Sequence, residues 1–184
     1  MSEAGSAPTD GTIRLERWDS RHSEGVAEVL RDPDVQRYTY APSPWQEGFE
    51  QIWLERYDEG WKDGTRVGFA IVDAASSEFL GLALLVRIDR DARECEAGYL
   101  LAPQARGRGV AARALRLLTD WALNELGLLR VELKIDAQNV ASLRVAERAG
   151  YVHEGTLRSV YFKDGIRSDM AVYSRLPSDP EHIA

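Results

Sequence analysis

The stretch QARGRGVAARALRLL, from Gln104 to Leu118, places two glycines and two arginines at the head of an otherwise strong helix-forming run. A strand-like segment, CEAGYLLA, leads into it. The first turn of a helix has backbone N–H groups without intrahelical partners and carries the positive end of the helix dipole, so such a junction is suited to an anion. Gly107 and Gly109 remove Cβ atoms that would hold a phosphate away, and they permit the dihedrals that turn successive amides inward. Arg106 and Arg108 can add charge-assisted contacts to phosphate oxygens. The competing reading is an ordinary helix start with a solvated basic face.

Two familiar phosphate loops fail on spacing. The chain has no GxxxxGK[ST] run to supply the lysine and magnesium-binding hydroxyl of a P-loop. Where a dinucleotide fingerprint needs its third glycine there is Ala112, and the preceding strands read as antiparallel rather than as a βαβ repeat. Metal chemistry is not expected either. Cys95 is the single cysteine, and His22, His153 and His182 lie at no ligand spacing. Asn139 and Ser142 stand three apart at the start of a short helix, where Asn139 is a good N-cap. Glu94 and Glu96 share one face of a strand, with Cys95 on the other.

These residues need elements to hold them. TIRLERW reads as a first strand, SEGVAEVLRD as a helix stopped by Pro33, and YTYAPSPW as a loop leading to a helix from about Trp45 to Gly60. RVGFAIVD, FLGLALLVRI and CEAGYLLA are strands joined by polar turns, hence antiparallel neighbours. GVAARALRLLTDWALNELG is a helix closed at Gly127, LLRVELKI a strand, and NVASLRVAERAG a short helix closed at Gly150. Strands over about 151–162 and 166–176 are joined by the turn KDG. The sum is seven strands and about four helices in an α/β chain.

A chain of 184 residues with 44% hydrophobic content suffices for one sizeable core. We expect a single domain over residues 12–176, with flexible tails at 1–11 and 177–184. The formal charge of −7, from 30 acidic and 23 basic residues, disfavours nucleic acid and anionic membranes and favours a basic or amine-bearing partner. With one cysteine, no leader-like segment and no long apolar run, a cytoplasmic setting is expected.

Leu101, Pro103, Arg106, Gly107, Gly109, Val110 and Ala111 together resemble the pyrophosphate-binding motif of the GNAT superfamily of acyl-CoA N-acyltransferases. Its core pattern, (Q/R)xxGx(G/A), is met by Gln104, Gly107 and Gly109. Downstream, LRVELKIDAQNVASLRVAERAGYVHEGTLR is similar to the family's next strand, its asparagine-led helix and the GY…EG entry to the following strand. The likeness is to the Rim-type branch, which acetylates N-termini of ribosomal proteins. Its specific part covers roughly 94–176.

The resemblance implies a GNAT fold, a mixed and mostly antiparallel seven-stranded sheet, that transfers acetyl from acetyl-CoA by direct attack of an amine on the thioester, without a metal. It places the oxyanion at the backbone N–H of Leu101 or its neighbour Ala102, and the pyrophosphate on the amides from Arg106 through Ala111, with Arg106 and Arg108 assisting. By the same likeness Asn139 contacts the pantetheine arm and Ser142 lies near the sulfur as acid, since positions 145–149 offer no tyrosine. Glu96 becomes the proton relay. One departure is Tyr161, where some ribosomal-protein acetyltransferases carry a glutamate.

Aromatics recur at every fourth position from Trp45 to Trp61, a spacing that reads first as core. In similar enzymes this helix and the loop before it wall the acceptor site, which makes Tyr38, Tyr40, Trp45 and Trp53 acceptor-site candidates. The expected acceptor is a protein N-terminus or a small-molecule amine. Similar enzymes are often dimers, so a homodimer is part of the expectation. The alternative is a catalytically silent acyl-CoA-binding sensor or assembly module on the same fold.

Overall fold

The computed structural model describes residues 7–180. β1 (Ile13–Glu16) is followed by α1 (Ser23–Arg31), α2 (Pro33–Tyr38) and α3 (Phe49–Asp63). β2 (Val67–Asp73), β3 (Phe79–Asp89) and β4 (Glu94–Leu101) then pair as consecutive antiparallel strands. The chain continues through α4 (Val110–Asn124), β5 (Arg130–Asp136) and α5 (Val140–Arg148), and ends in the hairpin β6 (Val152–Lys163) and β7 (Ile166–Arg175). All seven strands form one sheet in the order β1-β2-β3-β4-β5-β7-β6, with β4–β5 parallel and the other pairs antiparallel. This is the expected mixed, mostly antiparallel seven-stranded sheet.

Among the described residues five α-helices flank it, one more than the sequence suggested. Pro33 does not merely stop α1; it opens α2. Asp32 caps the new helix by accepting from the N–H groups of Asp34 at 3.0 Å and Val35 at 3.2 Å. Proline at the first helical position forfeits nothing, because that N–H has no intrahelical partner anyway. α3 begins at Phe49 rather than near Trp45, because Gly48 just before it takes a left-handed φ of 78° that a right-handed helix cannot continue.

One face of the sheet is covered by α4 and α5. There Leu115 and Leu118 pack with Ile71, Leu85, Cys95, Ala97, Val131 and Leu133 in the main core. The other face carries α1 and α3, with Val26, Leu30, Leu54 and Tyr57 against Leu82 and Leu84. Each fully buried Leu or Ile contributes about 1.5–3 kcal/mol, so these two layers fix the sheet as a rigid support. The ends are tied to it as well. Of the expected N-terminal tail, Pro8 accepts from the Leu15 amide at 2.8 Å and Asp10 pairs with Arg113 at 2.7 Å. At the other end Asp179 accepts from the Leu176 amide at 2.9 Å. Residues 1–6 and 181–184 of those expected tails lie outside the described residues.

The feature that makes a site is the junction of β4 and β5. They pair only at Glu94↔Arg130, Cys95↔Val131 and Glu96↔Glu132. Beyond this point β4 stays with β3 up to Leu101↔Gly81, while β5 stays with β7 up to Asp136↔Met170. The sheet therefore opens between residues 97–101 and 133–136. The loop before α4 and the start of α5 both lie at that opening.

Candidate active site

At the end of β4 the amide of Ala102 donates to the Leu80 carbonyl at 3.0 Å, whereas Leu101 faces Gly81 directly. In an antiparallel ladder this pairing leaves Leu101 as a non-hydrogen-bonded residue, its N–H turned from β3 toward the opening. Of the two amides expected at the oxyanion, that of Ala102 is thus already engaged. Gly81 makes the arrangement feasible: its φ is 152°, and a Cβ there would lie 2.2 Å from the Leu100 carbonyl oxygen.

After a short turn at Pro103–Ala105 the chain reaches Gly107 and Gly109, with φ of 73° and 78°. A Cβ added at either would meet no atom of the described residues within 4 Å, so among these the space above the loop is open. Gln104, Gly107, Arg108 and Gly109 are exposed. Gly109 is the N-cap of α4 without a side-chain capping bond, and the first intrahelical bond there, from the Arg113 amide to the Gly109 carbonyl, measures 3.2 Å. The amides of Val110 and Ala111 are among those an α-helix leaves unsatisfied at its start.

Arg106 departs from expectation. Its amide donates to the Pro103 carbonyl at 3.2 Å. Its guanidinium bonds Asp32 at 2.8 Å, Asp34 at 3.2 Å and the Leu101 carbonyl at 3.2 Å. Arg106 therefore braces the end of β4 against the cap of α2, its guanidinium engaged by two carboxylates and a carbonyl. Partial burial of Asp32 raises its pKa, but the Arg106 hydrogen bond and the Val35 and Asp34 amides outweigh it and hold the carboxyl below its ordinary range.

Across the opening, Asn139 caps α5 by accepting from the Ser142 amide at 3.1 Å. The Ser142 hydroxyl lies 2.7 Å from the Tyr99 hydroxyl. Burial pushes the Tyr99 phenol up to about 12, the Ser142 hydrogen bond acting the other way, so it stays protonated at neutral pH. The sequence reading passed over Tyr99. Its trace was the alternation of β4, where Cys95, Ala97, Tyr99 and Leu101 share the face toward α4 and only Tyr99 brings a hydroxyl.

Glu96 points to the opposite face and is held by Arg87 and by Lys134, the latter at 3.5 Å. It belongs to a ladder of charges across the sheet, in which Lys134 also meets Glu132 at 2.7 Å and Arg130 joins Glu132 and Glu154. Five residues of strand, about 16 Å, separate Glu96 from Leu101. A proton relay from Glu96 to an amine at Leu101 must run through water.

The four aromatic candidates separate. Trp53 is drawn into packing with Trp18 at 5.6 Å and Tyr57 at 4.4 Å. Tyr38 lies under the guanidinium of Arg37. Tyr40 and Trp45 line a cleft of about 460 Å³ between the loop after α2 and the β6–β7 hairpin, with Phe162 and Asp164 opposite. Lys163 ties the two walls by donating to the carbonyls of Gln36, Thr39 and Ala41. Tyr40 is 72% exposed and its ring meets that of Tyr161 at 4.7 Å and a tilt of 45°; among the described residues the buried Tyr161 hydroxyl and the Trp45 indole N–H have no hydrogen-bond partner.

Known proteins resemble this chain in sequence and in fold. The family described as acetyltransferase (GNAT) domain matches residues 12–152. The probable N-acetyltransferase YjcK of Bacillus subtilis (strain 168) is 32% identical over 129 residues, 70% of this chain and 71% of that protein. RimL, a ribosomal L7/L12 alpha-N-protein acetyltransferase solved with coenzyme A, is similar in fold with a TM-score of 0.82 at 19% identity, covering 92% of this chain and 97% of that one. Spermidine N-acetyltransferase from Vibrio cholerae, solved with CoA and spermine, gives a TM-score of 0.80 at 22% identity over 92% and 98% of the two chains. The chain belongs to the GNAT acetyltransferase family, as the glycine loop led us to expect. It is accordingly an acetyl-CoA-dependent N-acetyltransferase.

Proposed function

We propose that this enzyme acetylates a primary amine, either a small polyamine-like molecule or a protein N-terminus, by direct attack of the amine on the thioester of acetyl-CoA. The observation that carries the reading is the opened β4–β5 junction, flanked by an uncovered glycine loop on one side and a hydroxyl pair on the other. The amides of Gly107, Arg108, Gly109, Val110 and Ala111 take the pyrophosphate, with the Arg108 side chain adding charge. Asn139 holds the pantetheine arm. The Leu101 N–H meets the oxyanion, a role suited to a backbone donor because it need not reorganise as charge develops. Ser142 serves the leaving sulfur.

Glu96 relays the proton of the attacking amine through water. An α-amino group with pKa near 8 is partly neutral at pH 7, whereas an alkyl amine near 10.4 is almost wholly charged and depends more on such a relay. The cleft of Tyr40, Trp45, Phe162 and Asp164 receives the acceptor, its aromatic faces and carboxylate favouring a cation. We place the enzyme in the cytoplasm, a reading supported by a chain with a single cysteine, which is buried.

Thermal unfolding with acetyl-CoA, ATP and NAD in parallel is the first test. A ligand binding only the folded state at 100 times its Kd adds about 2.7 kcal/mol, and only acetyl-CoA should do so. Thiol release is then followed with spermidine, spermine, aliphatic diamines and short peptides bearing a free N-terminus. Turnover with one of these classes names the acceptor. Stabilisation by acetyl-CoA without thiol release from any amine would favour the sensor instead.

A further inference from the structure

Tyr99 is not needed to fill space with a hydroxyl; a phenylalanine would give the same ring to the core under α4. A phenol hydroxyl taken out of water is costly without a partner, and the one Tyr99 has found stands 43 residues away on another element, at 2.7 Å. Ser142 is constrained from both sides. Its amide is taken by Asn139 at 3.1 Å, and its hydroxyl oxygen is taken by Tyr99, so the remaining freedom is the rotation of its own proton.

We propose that Tyr99 is a positioning residue for acyl transfer: it donates its O–H to Ser142 Oγ and thereby turns the serine proton toward the departing sulfur of CoA. The proposal rests on the placement of Ser142 beside that sulfur. The direction of donation follows from the need. If serine donated to the phenol, no proton would be left to face the thiolate. As the amine nitrogen forms the C–N bond, the C–S electron pair departs on sulfur, where the oriented serine hydrogen bond meets it. The nitrogen gives one proton to water, and the released thiolate takes one from water. A phenol that burial keeps neutral remains a donor throughout.

The test compares wild type with Tyr99→Phe, Ser142→Ala and the double variant, all first shown by thermal unfolding to be folded. Affinity is measured calorimetrically for CoA and for desulfo-CoA at about pH 10.5, where the alkyl thiol of CoA, a weaker acid than a cysteine side chain near 8.5, is largely thiolate. Tyr99→Phe should weaken CoA about fivefold to tenfold while leaving desulfo-CoA within a factor of two, and the double variant should be no weaker than Ser142→Ala. With an acceptor in hand, Tyr99→Phe should lower kcat about tenfold at unchanged KM for acetyl-CoA. An equal loss for both ligands, no loss for either, or losses that add in the double variant would overturn the proposal. The binding readout needs no acceptor. A failure to find an amine substrate therefore counts against the acceptor reading and leaves the Tyr99 result to stand or fall by itself.

Discussion

On the proposed reading, Gly109 is the single residue on which the pyrophosphate loop depends most. Its φ of 78° resists any side chain, and the empty space above it is where a phosphate would come to the amides. Gly109→Glu adds a carboxylate to that space and should lower acetyl-CoA affinity by at least about a hundredfold, measured by calorimetry on protein verified to be folded. Unchanged affinity would remove the loop from its role. If Ser142 serves the leaving sulfur as proposed, Ser142→Ala loses a contact made to developing charge, so kcat should fall with KM for acetyl-CoA little altered in steady-state kinetics. Glu96→Gln should move the acidic limb of the kcat/KM profile to higher pH, most for acceptors with strongly basic amines. A profile that does not move would return Glu96 to the ladder with Arg87 and Lys134.

Between elements, the contact that matters most is the brace from Arg106 to Asp32 and Asp34. It ties the end of β4 and the start of the cofactor loop to α2, and α2 leads to the acceptor-side loop. Arg106→Ala leaves a largely buried carboxylate with amide partners alone and should cost about 1–3 kcal/mol in denaturant unfolding. Acetyl-CoA affinity should fall with it, because the loop that follows β4 loses this brace. The pairing of β3 with β4 offers a second element-scale test. Gly81→Ala drives a Cβ into the Leu100 carbonyl and should destabilise by about 2 kcal/mol or more, read from the unfolding midpoint.

For the whole molecule, acid is the natural stress. Asp10 and Asp32 are partly desolvated, but amide and arginine hydrogen bonds win and lower both pKa values; Arg130 chiefly, with Ser174, lowers Glu154 to about 2. Groups depressed in the folded state contribute their full stabilisation above their unfolded pKa values, and this is lost as pH falls through the folded ones. Thermal midpoints should therefore fall from about pH 5 downward to pH 2, and Arg106→Ala should flatten part of that slope. A midpoint that rises on acidification would contradict the assignment. The sequence by itself determined what is local. Strand and helix runs, the glycine loop at Gly107 and Gly109 and the Asn139 cap depend on neighbours a few residues away, so their residue types sufficed. Even there Pro33 reads only as the stop of α1 and not also as the start of α2, because whether a new helix follows a proline depends on the Asp32 cap that precedes it. Only the tertiary structure decided that Arg106 serves Asp34, 72 residues distant, and that Tyr99 meets Ser142. It alone parted β4 from β5 after Glu96. Such contacts are fixed by strand register and by helices packing on a sheet, and no spacing along the chain encodes them.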